Sequence, residues 1–547
     1  MELFYTYFFA VARWLIAIMS VAFVIAWVRY YKGTKPSPHV FAELTTVDSV
    51  SIPITSKENI LGRGKNADIV IPLEDFSKRH AMIFVEKGKW RIAPINNNKV
   101  MVNLQNVRRA APLEYGDKIT IAGQTLTFKR KASNDISSKS KASGASPLLT
   151  LTVFQILIGL SVCLRFWSTL ETAIPLSFLI LIASEWCYYL IGRLVKNFTL
   201  LAELLVFYLS TLGLAVGCCT LPSELTKQMV CYAVGFVGFL TLTFILKFRE
   251  FIIKIQRIIM ILSVSLLYFT AIFGNEINGS RNWIKIGTFA FQPSELVKVA
   301  FVVCGAISLH ILISKPVRRW EFLAYSVLCM GALAIMLDFG AVAIFFIGMM
   351  VILALRLEKP LVLGGIASAA VIGATGVIMV YPYIARRFGT WLHAWEYANS
   401  TGYQQSRTMM SFASGGLLGV GGGNGYLHEI PAAENDLVFG IIGEEWGWIV
   451  ALTAALCLVF LGIYAYRLMK NADSTFDLIG VGAAFVMIIF QSALNIFGSV
   501  DLLPLTGVTF VFVSRGGTSL ISAWLMMSFF KSAELHHKEP TQWRNAE

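Results

Sequence analysis

What this sequence has least of is charge. Asp, Glu, Lys and Arg make up 14% of its 547 residues, against about 25% in soluble chains. Hydrophobic residues reach 56% and the mean hydropathy is +0.65, which excludes a soluble globular chain and indicates an integral membrane protein. Cysteine is sparse too: the eight residues lie in or beside apolar segments and none forms a CxxC pair, so neither a zinc site nor a disulfide framework is indicated. The net charge of +13 does not signal nucleic acid. Lys and Arg fall mostly in short connectors between apolar runs, where they orient helices in a bilayer. The first apolar run, Leu3 to Val28, lacks a basic n-region and a small-residue cleavage site, and Arg29, Tyr30, Tyr31 and Lys32 follow it. It reads as a retained anchor, residues 1–30, and not as a signal peptide.

From about residue 40 to 130 the pattern changes to short alternating stretches, ADIVI, AMIFVEKGKWRIA, KVMVN and DKITIAGQTLTF, separated by Gly, Asn and Asp turns. This predicts a small all-β domain. A polar basic linker follows over 131–147, with too few apolar residues to fold by itself. From 148 to 530 about twelve apolar runs have spanning length, near 148–166, 173–192, 199–217, 228–247, 257–274, 294–313, 320–337, 339–356, 361–381, 436–466, 477–499 and 505–530. The fold class expected is thus a polytopic all-α membrane domain of about twelve transmembrane helices plus one N-terminal anchor helix, with a small all-β domain and a tail at 531–547.

Alternate connectors are rich in Lys and Arg, among them Arg193, Lys247, Arg249, Arg318, Arg356 and Arg467. The positive-inside rule places these, the β domain, the linker and the C-terminus in the cytoplasm. Two long polar stretches, 275–293 and 382–435, then face outward. Polar loops of that length carry function or are disordered, and chemistry is expected on the outer face.

In the β region, ILGRGKNADIVI, FSKRHAMIF, NNNKVMVN and LEYGDKIT occur in that order. The set resembles a forkhead-associated (FHA) domain, a β-sandwich whose motifs run GR, SRxH, NGTxxxN and GDxI, and the resemblance implies binding of phosphothreonine peptides. The residues suit anion capture: Arg63 offers a guanidinium fork, Ser77 a hydroxyl and Lys78 an ammonium, while Asn98 or Asn103 can hold peptide backbone. Lys78 stands where the motif has Arg, and Lys99-Val100 where it has Gly-Thr. Lysine binds phosphate as a point charge without the planar bidentate option. His80 reads as a structural hydrogen-bonding residue, and the alternative for the whole domain is a folded spacer.

Further along, NGSRNWIKIG with FQPSELVKVA, then DFGA, then GGLLGVGGG running into IPAAENDLVFGIIGEEWG, then NIFGSVDLLPLTGVTFVFVSRGGTS resemble the SEDS family, the FtsW/RodA/SpoVE group of polytopic cell-wall proteins. The resemblance spans about 150 to 530. It implies a peptidoglycan glycosyltransferase that polymerises lipid II on the outer face of the bacterial cytoplasmic membrane, acting with a class B penicillin-binding transpeptidase. It is also the family once proposed to flip lipid II.

A prenyl-diphosphate donor needs cations for its pyrophosphate, an apolar groove for its tail and a base for the acceptor hydroxyl. Arg281 and Lys285 in the first outer loop, Lys298 in the next apolar run, and Arg515 inside the last are candidate substrate-binding cations, with Asp338, Asp436 and Glu444 as candidate polar contacts. Simpler roles stand beside these: Glu295 and Lys298 share a helix face at i and i+3, Asp338 precedes a helix it can cap, and Arg515 has carboxylates among its possible partners. Glu444 and Glu445 sit deeper than Asp436 and need partners or a wet cavity. No cofactor is specified, although a pyrophosphate leaving group suits a divalent cation.

The outer stretch RRFGTWLHAWEYANSTGYQQS aligns with the family's large loop, which ends DPxxxGYQ, through Arg387, Trp391, Gly402 and Tyr403. The family's catalytic Asp position then holds Tyr397, and the Pro after it is Ala398. A phenol of ordinary pKa about 10 is a poor base at neutral pH. Glu396, one residue earlier, is the expected general base in its place. A catalytically silent scaffold or sensor is the competing reading. A phosphothreonine protein, tied to a Ser/Thr kinase, would regulate the outer chemistry through the FHA domain.

Overall fold

The computed structural model describes residues 2–538 apart from 35–39, 48–49, 65–66, 73, 87, 97, 131–143, 170, 196–197, 278, 288, 311–315 and 358–359. Most of the expected 131–147 linker lies outside the described residues. The chain divides into two compact units, one of residues 1–34, 141–467 and 479–532, the other of 35–140, 468–478 and 533–547.

The first unit is helical. Before the polar stretch 275–293 it holds α1 (Glu2–Gly33), α2 (Ala145–Arg165), α3 (Ala173–Gly192), α4 (Leu201–Thr220), α5 (Leu225–Ile245) and α6 (Arg249–Phe273). Next come α7 (Pro293–Ser308), α8 (Pro316–Ile335), α9 (Phe339–Ala354) and α10 (Pro360–Val380). The long polar stretch 382–435 and the residues after it fold as α11 (Pro382–Thr390), α12 (Tyr403–Gly415), α13 (Ala433–Asp436) and α14 (Val438–Glu445), and α15 (Gly447–Lys470), α16 (Thr475–Ser499) and α17 (Gly517–Lys538) follow. Among the described residues thirteen helices reach 16 residues, which agrees with twelve runs plus an anchor. Nine are long and apolar enough to cross a membrane, and α9 is a shorter apolar helix.

One expected run is divided. The apolar stretch near 436–466 is two short helices, α13 and α14, followed by a break and then the spanning helix α15. The break falls at Gly447, with φ +86°, where a Cβ would lie 2.4 Å from the Leu417 carbonyl oxygen. Only glycine combines that backbone with that approach. Asp436 and Glu444 therefore precede the membrane span instead of lying within it.

Several buried polar groups of the helices are paired across elements, as lipid demands. The apolar stretch of α4 is buried over its whole length, as expected of a helix hydrophobic all round. α1 is tied to it by the Trp27 indole N–H, which donates to the Leu201 carbonyl at 2.7 Å, and by a hydroxyl contact of 2.6 Å between Ser20 and Tyr208. The buried Lys531 ammonium meets the Glu203 carboxylate at 2.9 Å, and the Tyr188 hydroxyl donates to that same carboxylate. The segment between α6 and α7 is an antiparallel hairpin, Ser280–Ile286 paired with Phe289–Phe291 and with Asn275–Ile277. Pro293 then opens α7, its fixed φ suiting a first helical turn.

The second unit contains two sheets. One runs Ser51–Ile54, Ala42–Thr46, Gln124–Lys129, Lys118–Ile121, Val100–Val102, Gln105–Asn106; the other runs Ile69–Val70, Glu58–Gly62, Ala81–Glu86, Lys89–Pro94, Ala111–Pro112. Leu44, Leu61, Ile83, Ile92, Ile119 and Phe128 belong to one buried core, so the alternating pattern is a sandwich with apolar faces inward.

Candidate functional site

The groups that the sequence singled out fall into three places. The first is a polar network inside the helical unit. Lys298 and Glu295 are buried on α7 with Nζ and Oε2 2.7 Å apart. The ammonium also donates to Gln491 Oε1 of α16 at 2.6 Å, and Ser522 of α17 donates to Glu295 at 2.6 Å. Gln491 in turn donates to Thr509 Oγ1 at 2.9 Å. The i, i+3 pair is real, and two further helices complete it.

α7 also borders an open apolar groove of about 750 Å³, lined by side chains that include Val234 and Val237 of α5, Ile259 of α6, Val299 and Val303 of α7, and Leu525 of α17. One helix thus contributes both to a buried charged network and to an apolar groove.

The second place is formed by the 275–293 hairpin and the loops between α10 and α15. Arg281 and Lys285 are exposed on the hairpin strand at i and i+4, hence on one face, while Asn282 between them is buried on the other. Asn282 donates to Asp338 Oδ2 at 2.7 Å, Gln292 to the same oxygen at 3.2 Å, and the Ala341 amide to Oδ1 at 3.0 Å. Asp338 caps α9 and fastens the hairpin, the simpler of the roles open to it. Burial pushes its carboxyl above the usual range, opposed by the Asn282 hydrogen bond. Glu444 is similarly committed: its two oxygens accept the Tyr426 and Leu427 amides, each at 3.0 Å.

Asp436, at the end of α13, keeps its carboxylate clear of such duties. Asn495 of α16 donates to the Asp436 and Val508 carbonyls at 3.2 and 2.8 Å, which pins the backbone and leaves the side chain beside Gly507. Burial pushes the Asp436 carboxyl up to about 6, with the Arg387 guanidinium pulling the other way. Arg387, which the sequence reading used only to set register, donates to the Leu505 carbonyl at 3.2 Å. Arg515 finds two carboxylates, Glu224 at 3.4 Å and Glu434 at 3.8 Å. Neither was named as its partner from the sequence.

Glu396 lies in the turn that joins α11 to α12, with its side chain exposed and its amide donating to the His393 carbonyl at 3.0 Å. Tyr397 is 44% exposed, and its carbonyl accepts the Ser400 and Gly402 amides. Among the described residues no group of three or more His, Cys, Asp or Glu side chains is arranged to hold a metal ion.

The third place is the β-sandwich. The Arg63 amide donates to the Ser77 carbonyl and the Gly64 amide to that of Lys78, each at 3.1 Å, so the loops carrying the Arg63 and Lys78 side chains lie together. A Cβ at Gly62 would come 2.2 Å from the Lys78 carbonyl oxygen. Ser77 Oγ donates to Asn98 Oδ1 at 2.9 Å, and Asn98 Nδ2 donates to the Arg79 carbonyl at 3.2 Å. His80 is buried, its ring nitrogens engaged by the Ser77 amide and the Lys99 carbonyl. The structure does not bring Asn103 to this cluster: with φ +47° it is locked into a turn, donating to Asp117 at 2.7 Å and accepting from the Lys118 amide at 3.0 Å.

Residues 187–539 match the cell cycle protein family of FtsW, RodA and SpoVE. The chain belongs to that family. Residues 59–122 match the FHA domain, so both resemblances read from the motifs hold. A probable peptidoglycan glycosyltransferase FtsW of Wigglesworthia glossinidia brevipalpis is 31% identical over 288 residues, 49% of this chain and 73% of the relative. The peptidoglycan glycosyltransferase RodA of Mycobacterium bovis is 28% identical over 346 residues, 58% of this chain and 72% of the relative. A chain from a solved peptidoglycan synthase complex aligns over 63% of this chain and all of its own length, with 23% identity and a TM-score of 0.52. That likeness is one of fold. The family match begins within α3 and leaves α1, α2 and the β-sandwich outside it.

Two outcomes follow from this geometry. Lys298→Met strands the Glu295 carboxylate in the interior and should cost about 3–5 kcal/mol, while adding Glu295→Gln should recover much of the loss. Thermal unfolding of the detergent-solubilised protein measures both, and equal losses for single and double variants would show that charge is not what the pair contributes. Asp436, raised from 3.8 to about 6, disfavours the folded state once ionised, a cost absent below pH 3.8 and complete above pH 6. Asp436→Asn should therefore stabilise the protein at pH 7.5 by roughly 1–3 kcal/mol, with the gain shrinking as the pH falls from 6 to 4.

Proposed function

We propose that the chain polymerises lipid II into peptidoglycan strands at the outer face of the cytoplasmic membrane, in division or cell-shape control. The observation that carries this reading is α7, whose Lys298 network and adjoining apolar groove suit an amphiphile with an anionic head and a long hydrocarbon tail. The naming of relatives as peptidoglycan glycosyltransferases supports the same reaction class.

In this reading the prenyl chain occupies the groove and the diphosphate is held by cations, with Arg281, Lys285 and Lys298 as the candidates and Arg387 added by its position beside Asp436. Glu396 takes the proton from the attacking sugar hydroxyl as the bond to C1 of the donor forms and the diphosphate departs. Asp436 is a substrate contact; Asp338, Glu444 and Arg515 act by holding the loops. A divalent cation would assist the leaving group. A class B penicillin-binding transpeptidase would crosslink the product. The FHA domain would lie in the cytoplasm and bind a phosphothreonine protein produced by a Ser/Thr kinase, through Arg63, Ser77, Lys78 and Asn98.

A second reading has its own observation: Tyr397 occupies the family's acid position, as it would in a silent scaffold or sensor. Incubation of the full-length protein with lipid II and its transpeptidase separates the two. Polymer from wild type, reduced about 100-fold or more by Glu396→Gln, is the expected result; polymer indifferent to that change removes Glu396, and no polymer favours the scaffold. Movement of lipid II across vesicles without polymer would make the protein a flippase. For the FHA domain, a phosphothreonine peptide should bind and Arg63→Ala should abolish binding; equal affinity for the unphosphorylated peptide would refute phosphate recognition.

A further inference from the structure

The turn that carries Glu396 contains no regular secondary structure between α11 and α12. Such a loop, left to itself, samples many conformations and presents a base poorly. Here it is fastened. Asp501, in the segment that leaves α16, accepts the Leu392 amide on Oδ1 at 3.2 Å and the Ala394 amide on Oδ2 at 3.1 Å. Both carboxylate oxygens are used on backbone groups two and four residues before Glu396.

Two backbone conformations show how closely this contact is specified. Asp501 has φ +62° and Leu392 has φ +64°, the left-handed region that disfavours a side chain. Both strained residues belong to one contact, the acceptor and one of its two donors. Charge-assisted hydrogen bonds to amides are the strong kind, and Asp501 is 7% exposed and Ala394 fully buried, so water competes little for them. Neighbouring contacts reinforce the placement. The Trp391 indole donates to the Leu502 carbonyl at 3.1 Å. A Cβ at Gly402 would lie 2.4 Å from the Ala394 carbonyl oxygen, so the far end of the turn folds back onto the residue that Asp501 holds.

We propose that Asp501 is the positioning residue of the outer site, clamping the Leu392 and Ala394 amides so that the turn presents Glu396 in one fixed geometry. The proposal rests on the reading of Glu396 as base. Asp501 touches no reacting atom; it acts through the turn. Its loss should lower kcat, which depends on alignment in the transition state, more than KM.

The test uses the full-length protein in nanodiscs, with amide exchange across 391–402 and lipid II polymerisation read on the same samples. Asp501→Ala and Asp501→Gly both remove the acceptors, and the glycine also relieves the backbone. Each should speed exchange of the Leu392 and Ala394 amides about 10- to 100-fold and lower kcat by about as much, with KM within about twofold. Asp501→Asn tolerates the left-handed backbone and keeps one acceptor, and should restore part of both. Unchanged exchange in both acceptor-less variants would overturn the clamp. Faster exchange with unchanged kcat would overturn its catalytic role. If wild type makes no polymer, the glycosyltransferase reading fails and the catalytic role of Asp501 with it, while the exchange result alone upholds or overturns the clamp.

Discussion

The helical unit depends on how it satisfies one stretch of non-helical backbone. Between α16 and α17 the chain abandons the helix over residues 500–516, and lipid offers no hydrogen bonds to such a segment. The protein supplies them from several elements. Asn495 donates to the Val508 carbonyl, Trp391 to that of Leu502, Arg387 to that of Leu505, and the Phe510 amide donates to Ser514 Oγ. Glycines permit the close approach: a Cβ at Gly213 of α4 would sit 2.6 Å from the Val513 carbonyl oxygen. Because α11, α13, α16 and the Glu396 turn all bond to this segment, it is the common floor beneath them. A change of register there would displace Arg387, Asp436 and Glu396 together.

The Lys298 network extends from that floor into the membrane. Gln491 links the ammonium to Thr509 of the same segment, so the buried cation and the outer groups share one polar path. A buried ion pair is weak evidence for stability, since apolar residues of equal size often serve as well. Its place beside an apolar groove is what the proposed function draws on.

Much of this was legible in the sequence, and the exceptions have physical reasons. Runs of apolar residues longer than a bilayer's thickness have few alternatives to a helix, so the helix count could be read directly. The stretch near 436–466 misled because apolar residues continue across Gly447, and a positive φ leaves no mark in hydropathy. Glu295 with Lys298 was readable from spacing, whereas Gln491 and Ser522 are remote in the chain and only the fold brings them in. The motif asparagines of the sandwich looked alike; turn geometry decides that Asn98 joins the Ser77 loop while Asn103 closes a turn. Asp501 was invisible, since an acid before LLPLTG reads as loop polarity until the amides it accepts are known.

Tyr397 is the feature that bears hardest on the reaction. Had the turn been loosely held, a carboxylate moved by one residue could sweep many positions and its identity as base would mean little. The turn is instead tied at Leu392 and Ala394 by Asp501, at Trp391 by Leu502 and at Gly402 by the Tyr397 carbonyl. A one-residue shift of the acid in such a frame moves its backbone position to a neighbouring, equally fastened residue of the turn. The exchange of Asp for Tyr and the presence of Glu one residue earlier thus fall within one fastened turn, which is why the proposed function treats them together and stands or falls on Glu396.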